Sequence, residues 1–216
     1  MRRIDEAIDC FKRVLNADNS HYLTSLDHGI FGYKSMRVLA QAEFGLGNYG
    51  AARDLWLQAA AAMPNDLSST VELASAATEV KDFPTASAMI DRVRDVMGFG
   101  NIWVNLSIPF QDAIGGPGSG FRFIAGLLEK NPEYHDVRLT LAEHLIEAGL
   151  PNDAVPHLLF LDDRGLPQAS YHMGKLCLVS GDMKGALTWM ERSQELNPAH
   201  IETNETIEKL RLAIAS

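Results

Sequence analysis

The feature that most constrains this chain is a helix-stopping position that recurs about every 34 residues. Pro64, Gly98, Pro132 and Leu166 (with Pro167 beside it) are spaced 34 residues apart, and Pro198 follows Leu166 after 32. Each closes a stretch of helical character, as in LWLQAAAAMP and MERSQELNP. Proline stops a helix because it lacks an N–H donor and its ring clashes with the preceding turn. A fixed period of this length predicts a stack of similar structural units.

Four further columns of residues keep the same phase. The first pairs a large apolar residue with a small one: Leu39 with Ala40, Leu73 with Ala74, Leu141 with Ala142, and Met173 with Gly174. The second, at the expected turn, contains Gly47, Lys81, Gly115, Gly149 and Gly181. The third contains the small residues Ala52, Ala86, Gly120, Ala154 and Ala186. The fourth, one helical turn later, contains Trp56, Ile90, Ile124, Leu158 and Met190, and Ala59, Val93 and Leu127 continue it.

This spacing predicts a unit of two helices joined by a tight turn. Small residues where two helices cross let their backbones approach to about 8–10 Å, and the large apolar residues then fill the space between neighbouring units. A glycine at the turn supplies the left-handed conformation that ends the first helix. The third unit departs from this pattern, because Ser107 replaces the leucine and Pro109 falls inside the first helix. We expect Pro109 to kink that helix and open a pocket.

The pattern resembles the tetratricopeptide repeat (TPR), best in LAQAEFGLGNYGAARDLWLQAAAAMP and LCLVSGDMKGALTWMERSQELNP. The resemblance covers residues 32–199 and implies an all-α fold, a right-handed α-solenoid of about five TPR-like helix-turn-helix units. We expect residues 1–31 to form a partial repeat helix and a linker. Residues 200–216 are expected to form a C-terminal capping helix.

The two ends of the array are predicted to differ. Residues 4–15 repeat only the second half of a unit, with Ala7, Phe11 and Val14 in its columns, so their apolar face lacks the helix that should cover it. A second copy of the chain could cover this face, which predicts a homodimer. At the other end, Thr203 predicts a polar helix start. Ile207, Leu210 and Ile214 then form one apolar stripe against the last unit.

The segment that leads into the first full unit, SHYLTSLDHGIFGYKSMRVLA, carries a second resemblance. It is similar to a region of bacterial family 2 glycosyltransferases that carry TPRs behind their catalytic domain. The matching residues are Ser25, Asp27, Gly29, Gly32, Tyr33 and Lys34. The resemblance implies that the chain is part of a larger enzyme. Transferase activity does not carry over, because the chain has no room for a nucleotide-sugar fold and no Asp-x-Asp motif with strands around it.

The stretch GGPGSG, residues 115–120, has the glycine density of a phosphate-binding loop. Such a loop follows a strand and places lysine and serine or threonine directly after its last glycine, whereas Phe121 and Arg122 follow here. Because Gly115 and Gly120 fall in the turn and small-residue columns, the stretch is predicted to be a lengthened turn. The alternative is an anion site at the start of the next helix, residues 120–124, assisted by Arg122.

Composition and motifs argue against most other functions. The formal net charge of −9 disfavours nucleic acid and anionic membranes, and no stretch approaches the roughly 18 consecutive apolar residues of a membrane span. Cys10 and Cys177 have no CxxC spacing, and the seven histidines include no HxxxH or HExxH pair. No GxSxG motif surrounds a serine. We therefore expect a cytoplasmic protein with no catalytic residues, no metal and no cofactor.

The function expected from the TPR resemblance is a non-catalytic scaffold that binds a protein or peptide on the concave face formed by its first helices. Projecting the repeat phase onto that face gives the candidate binding residues Lys34, Arg37, Gln41, Ser75, Thr78, Asn105, Asp112, Glu143, Tyr171 and Lys175. Ile102 and Leu106 stand where the TPRs that clamp the C-terminal carboxylate of chaperones need cations, so that ligand is disfavoured. The alternative function is the acceptor-positioning region of a bacterial glycosyltransferase whose catalytic domain is absent from this chain.

Overall fold

The computed structural model describes residues 2–16 and 32–215, and every regular element within these ranges is an α-helix. The all-α prediction is therefore confirmed for the described chain. Two compact units are present, Met1–Phe123 (unit 1) and Ile124–Ser216 (unit 2). The boundary falls inside a helix.

The described part of unit 1 contains six complete helices and the start of a seventh. These are α1 Arg2–Leu15, α2 Tyr33–Gly45, α3 Tyr49–Ala62, α4 Leu67–Glu79, α5 Phe83–Met97, α6 Asn101–Gly115 and the first turn of α7 Ser119–Lys130. From α1 to α6, each helix packs against the next one in the chain, and α4 also packs against α6. The contact between α4 and α6 brings the first helices of two consecutive repeats side by side, as stacking of two-helix units requires.

The described part of unit 2 contains the rest of α7 and five further helices. These are α8 His135–Glu147, α9 Pro151–Asp162, α10 Pro167–Ser180, α11 Met183–Leu196 and α12 Ile201–Ala215. Consecutive helices from α8 to α12 pack against one another. The period predicted that Leu166 ends α9. Instead, Leu166 is the N-cap of α10. The reason is Pro167, which occupies the first helical position, where its missing N–H has no intrahelical partner to lose.

The small-residue and large-apolar columns form the core, as predicted. The alanines that follow the first column and those of the third column are all fully buried: Ala40, Ala52, Ala74, Ala86, Ala142, Ala154 and Ala186. Trp56, Ile90, Ile124, Leu158 and Met190 are each 6% exposed or less. At Gly174, an added Cβ would lie 2.8 Å from Met190 Cε, so the missing side chain lets α10 and α11 pack closely. Leu127 departs from the pattern, because it is only half-buried and its neighbour Leu128 is buried instead.

The turn column supplies a left-handed residue in four units. The φ angles are 80° at Gly47, 60° at Lys81, 75° at Gly149 and 82° at Gly181. Among the described residues, Lys81 is the one non-glycine residue with a positive φ. In the third unit the prediction is wrong by one position: Gly115 is still helical, and the left-handed residues are Gly116 and Gly118, at 83° and 78°. The corner there is longer, so it needs two left-handed residues.

Two helices begin at an aspartate that directly follows the left-handed residue. Asp82 Oδ1 accepts a hydrogen bond from the backbone N–H of Thr85 at 3.4 Å, and Asp182 Oδ1 accepts one from Gly185 at 2.8 Å. Each cap satisfies an N–H that has no intrahelical acceptor, which stabilises a helix by about 1 kcal/mol. The local sequence thus sets where α5 and α11 begin.

The C-terminal helix differs in part from its prediction. α12 begins at Ile201, and Thr203 is fully buried with its hydroxyl 2.6 Å from His200 Nδ1. Thr203 is therefore not the polar start of the helix. Ile207 and Leu210 are buried as predicted, whereas Ile214 is 38% exposed, so the packed stripe ends at Leu210.

At the N-terminus, α1 packs against α2, with Ile8 buried and Phe11 half-buried. Lys12 Nζ also lies 3.4 Å from Glu43 Oε1 of α2. Self-association through α1 stays a prediction, because the side chains of Ile4 and Ala7 lie outside the described residues. Ser25, Asp27 and Gly29, which carry the glycosyltransferase resemblance, also lie outside them.

Candidate binding surfaces on the first helices

The first helix of each described repeat is α2, α4, α6, α8 or α10. Within the described residues, cavities open on these helices in both units, and each is named by the helices that contribute most of its lining. The α2/α3 cavity has a volume of about 290 Å³, the α4/α6 cavity about 200 Å³ and the α8/α10 cavity about 390 Å³. The α10/α11 cavity is smaller, about 80 Å³, and it is lined by the candidate residue Tyr171 together with Pro167, Gln168, Ser193, Asn197 and His200.

The α8/α10 cavity combines charged and apolar side chains. Its lining residues are Glu143, Ile146 and Glu147 of α8 and His172, Lys175, Leu176 and Val179 of α10. Val179 is 88% exposed, although moving an aliphatic side chain out of water lowers the free energy. An apolar floor with a few converging polar groups is the usual composition of a binding site.

The charges of this cavity are partly paired with one another. Glu143 Oε1 lies 3.1 Å from His172 Nε2, and this hydrogen bond is the main reason that the pKa of Glu143 lies below its ordinary value. Lys175 acts on the same carboxylate, and its Nζ lies 5.4 Å from the ring centroid of Tyr171. Burial, together with a hydrogen bond to Glu202, raises the pKa of Tyr171 to about 12. The Tyr171 hydroxyl therefore stays protonated beyond the pH at which an ordinary tyrosine ionises, and it donates to Glu202 beside the cavity.

The α4/α6 cavity occupies the equivalent place in unit 1. Its lining residues are Phe44, Ser75, Thr78, Glu79, Leu106 and Pro109. Ser75, Thr78 and Glu79 lie two repeat steps before Glu143, Ile146 and Glu147 in the sequence, and Leu106 and Pro109 correspond to His172 and Lys175 in the same way. The hydroxyls of Ser75 and Thr78 donate to the carbonyls of Val71 and Ala74, so they can offer a ligand only acceptor oxygens. The predicted pocket beside Pro109 is present.

The α2/α3 cavity is lined mainly by hydrogen-bond donors. Its residues are Tyr33, Lys34, Arg37, Val38, Gln41 and Trp56. It thus brings together the three candidate residues of the first repeat. Arg37 is held in place at the start of α4. Its Nη1 lies 3.4 Å from Oδ2 of Asp66, the N-cap of α4, and its Nη2 donates to Ser68 Oγ at 3.0 Å.

Two candidate residues of α6 lie away from these cavities. Asn105 is exposed. Asp112 is the cap of the next helix, since its Oδ1 accepts a hydrogen bond from the backbone N–H of Gly120 at 2.8 Å. This bond also argues against an anion site at 120–124, because a carboxylate already occupies the N–H that an anion would need. Arg122 donates to Ser119 Oγ at 3.0 Å, so the GGPGSG stretch is organised as a turn.

Sequence reasoning missed many of the residues that line the cavities, among them Trp56, His172 and Val179. Trp56 was assigned to the core, and it is indeed 3% exposed, but one side of it still borders the α2/α3 cavity. The sequence did carry a signal for His172. It directly precedes Met173 of the first column, just as the cavity-lining Leu106 directly precedes Ser107 of that column.

The described residues hold no group of three histidine, cysteine, aspartate or glutamate side chains arranged for a metal ion. Cys10 is exposed, and Cys177 is half-buried with a pKa raised by that burial. Among the described helices, none is long and apolar enough to cross a membrane.

Known proteins resemble this chain in fold and not in sequence. No protein-family model matches the chain, and none of the curated proteins matches it. Among solved structures, it is similar to yeast Tom70, with 16% identity and a TM-score of 0.51 over 97% of this chain and 43% of the Tom70 chain. The chain thus spans less than half the length of Tom70.

Two further structures are similar over most of their own length. One is TTC0263, a thermophilic TPR protein of Thermus thermophilus, with 17% identity, a TM-score of 0.47 and coverage of 84% of this chain and 100% of that one. The other is YrrB, a TPR protein with an unusual peptide-binding site, with 12% identity, a TM-score of 0.44 and coverage of 81% and 91%. At these identities the likeness concerns the fold alone. This chain is built of two-helix units, the columns of its repeat are buried, and it is similar to Tom70. These observations show that this chain has the fold of a tetratricopeptide-repeat protein.

Proposed function

We propose that this chain is a non-catalytic scaffold that binds a protein or peptide along its first helices. The observation that carries the proposal is the α8/α10 cavity, where the exposed Val179 lies beside Glu143, Lys175 and a floor of Ile146 and Leu176. Apolar side chains give a peptide area to bury, and the charges fix its direction and register. Stacked two-helix units support such extended binding surfaces.

The test is a selection of random peptides displayed on phage against the whole chain. We expect enriched peptides whose binding is lost in Val179→Asp, because an aspartate there puts an unpaired charge against the apolar part of the ligand. Leu159→Asp is the matched control: Leu159 is 41% exposed on α9, a second helix, and its substitution should leave binding unchanged. Peptides that bind both variants as tightly as the native chain would contradict the proposal.

The acceptor-positioning alternative rests on the glycosyltransferase resemblance, of which Gly32, Tyr33 and Lys34 are described residues and Ser25, Asp27 and Gly29 are not. An immunoblot of the native gene product with an antibody to the array separates the two functions. A band near 23.7 kDa supports a separate scaffold. A band larger by about 25 kDa or more, enough for a further domain, favours the transferase alternative.

A further inference from the structure

Unit 2 contains a buried arginine that the α8/α10 cavity does not use. Arg138 of α8 is 9% exposed, and no other described lysine or arginine is buried as deeply. The corresponding positions in the second, third and fifth repeats are Thr70, Val104 and Ser170, all buried and uncharged. The fourth repeat therefore places a cation in a column that is neutral in these other repeats.

A second arginine shares the same aromatic ring. Arg138 Cζ lies 3.8 Å and Arg164 Cζ 3.4 Å from the ring centroid of Phe160. Cation–π attraction holds each guanidinium on the ring, but it brings two like charges into one corner. Within the described residues, no carboxylate forms an ion pair with either arginine. Buried charges are usually paired, because leaving water is unfavourable for them.

The nearby polar groups do not neutralise this corner. Arg138 Nη1 donates to His157 Nδ1 at 3.3 Å, and Arg164 Nη1 donates to the carbonyl of Phe160 at 3.0 Å. Within the described residues Arg138 Nε has no hydrogen-bond partner. Burial and Arg138 both lower the pKa of His157, against a weaker opposing effect of Asp153, so the imidazole stays neutral and accepts from the guanidinium.

The helix geometry adds to the positive potential. α8 begins at His135, whose ring packs edge-on against Phe160 at 6.3 Å between centroids. Arg138 lies in the first turn of this helix, where the free N–H groups carry partial positive charge. An oxyanion suits such a corner, since its two oxygens match the planar donor fork of a guanidinium.

We propose that Arg138 and Arg164 form a binding site for an oxyanion, a phosphate or carboxylate group, at the Phe160 end of the α8–α9 pair. The site shares no residue with the α8/α10 cavity and is independent of the peptide-binding proposal. The oxyanion would accept hydrogen bonds from Arg138 at the start of α8 and lie close to the charge of Arg164, since the two guanidinium carbons lie 3.8 Å and 3.4 Å from the centroid of the same Phe160 ring. It would give the two arginines the paired negative charge that neither has among the described residues.

The experiment follows the arginine Nε–Hε signals of the whole chain by two-dimensional NMR at low ionic strength, during titration with inorganic phosphate and, separately, acetate. We expect the Arg138 signal to move along a saturable curve, with a dissociation constant that rises roughly tenfold or more in Arg164→Gln. Arg211→Gln is the control: Arg211 pairs with Glu191 on the exposed surface of the same unit, so its loss should leave the curve unchanged. A response to phosphate alone identifies a phosphate site, and a response to acetate alone a carboxylate site.

The proposal is overturned if neither anion moves the Arg138 signal up to about 50 mM, a range that covers weak binding, or if Arg164→Gln leaves the curve unchanged. Arg138→Lys assigns the Arg138 signal. If that variant does not fold, the Arg164→Gln result alone decides, because Arg164 is exposed and its substitution leaves the buried residues in place.

Discussion

Gly120 packs directly on the backbone of Ile108, and no side chain fits between them. A Cβ added at Gly120 would lie 2.5 Å from the carbonyl oxygen of Ile108 and 2.7 Å from its Cα. Asp112 holds the N–H of Gly120 at the same point. The last glycine of GGPGSG is therefore required by the close approach of α6 and α7.

Gly120→Ala should lower the free energy of unfolding by about 3 kcal/mol, because the new methyl group meets backbone atoms that cannot move aside as a side chain would. Gly126→Ala on the same helix is the control. An added Cβ there has no atom within 4 Å, so the free energy should rise by about 0.5–1 kcal/mol. Urea unfolding of both variants checks this. Equal stability of Gly120→Ala and the native chain would refute the close approach.

Ser107 provides a test in the opposite direction. It is 2% exposed, and its hydroxyl has no hydrogen-bond partner among the described residues. Because an unsatisfied buried hydroxyl is unfavourable, Ser107→Ala should stabilise the fold by about 1 kcal/mol. Ser193 is equally buried but donates to the carbonyl of Pro167 at 2.9 Å, so Ser193→Ala should destabilise by about 1 kcal/mol. Thermal and urea unfolding should give opposite signs for the two variants.

Lys81 is the non-glycine residue of the turn column and has a φ of 60°. A left-handed conformation is strained for a residue with a Cβ, so Lys81→Gly should raise the free energy of unfolding by about 0.5–1 kcal/mol, net of the greater freedom of glycine in the unfolded chain. Gly181→Ala, at a φ of 82°, should lower it by a similar amount. The idea fails if Lys81→Gly is the less stable protein in urea unfolding.

Pro109 is exposed in the interior of α6 and lines the α4/α6 cavity. Pro109→Ala should stabilise the chain by up to about 3 kcal/mol, because alanine restores a helical hydrogen bond and removes a ring clash. Pro151→Ala serves as the comparison, since Pro151 opens α9, where proline is well tolerated. Calorimetry should show a clearly higher Tm for the first variant only. A peptide selected on the native chain then reports whether Pro109 also matters for binding.

His157 makes stability depend on pH. Its pKa in the folded chain is lowered from 6.5, chiefly by burial, so the unfolded chain binds the proton more readily. Stability should therefore fall as the pH drops below about 6.5 toward the folded pKa. His157→Gln should lose less stability than the native chain between about pH 7 and pH 5, as urea midpoints would show. Asp82, whose folded pKa is lowered chiefly by its hydrogen bond with Thr85, loses its contribution only at more acidic pH, so Asp82→Asn should not change how stability varies with pH in this interval.

The repeat columns were predictable because they depend on spacing along one helix and on residue size. Ala52 and Met190 are buried where the period placed them, and Gly47 is left-handed. The third corner was misplaced by one residue, because four glycines within six residues leave several positions able to adopt the left-handed conformation.

The cavities were predictable only in part. Ser75 and Lys175 follow from the phase of the first helices, but the partners of a side chain depend on packing between elements. Asp112 illustrates this: its position predicts a surface residue, whereas the nearby N–H of Gly120 at the next helix makes it a cap. Arg138 shows the converse, because a charged residue in a buried column is visible in the sequence, yet its stacking on Phe160 is not.

The equivalence of the α4/α6 and α8/α10 cavities has a consequence for how such a chain changes during evolution. Within α8, the exposed Glu147 is separated from the buried Ala142 by barely more than one turn. Substitutions at exposed positions such as Glu147 alter which ligand is recognised. Substitutions at buried positions such as Ala142 alter whether the helix packs at all. Mutational tolerance should therefore alternate with the helical period along each first helix, so that recognition can diverge from one repeat to the next while the framework is inherited unchanged.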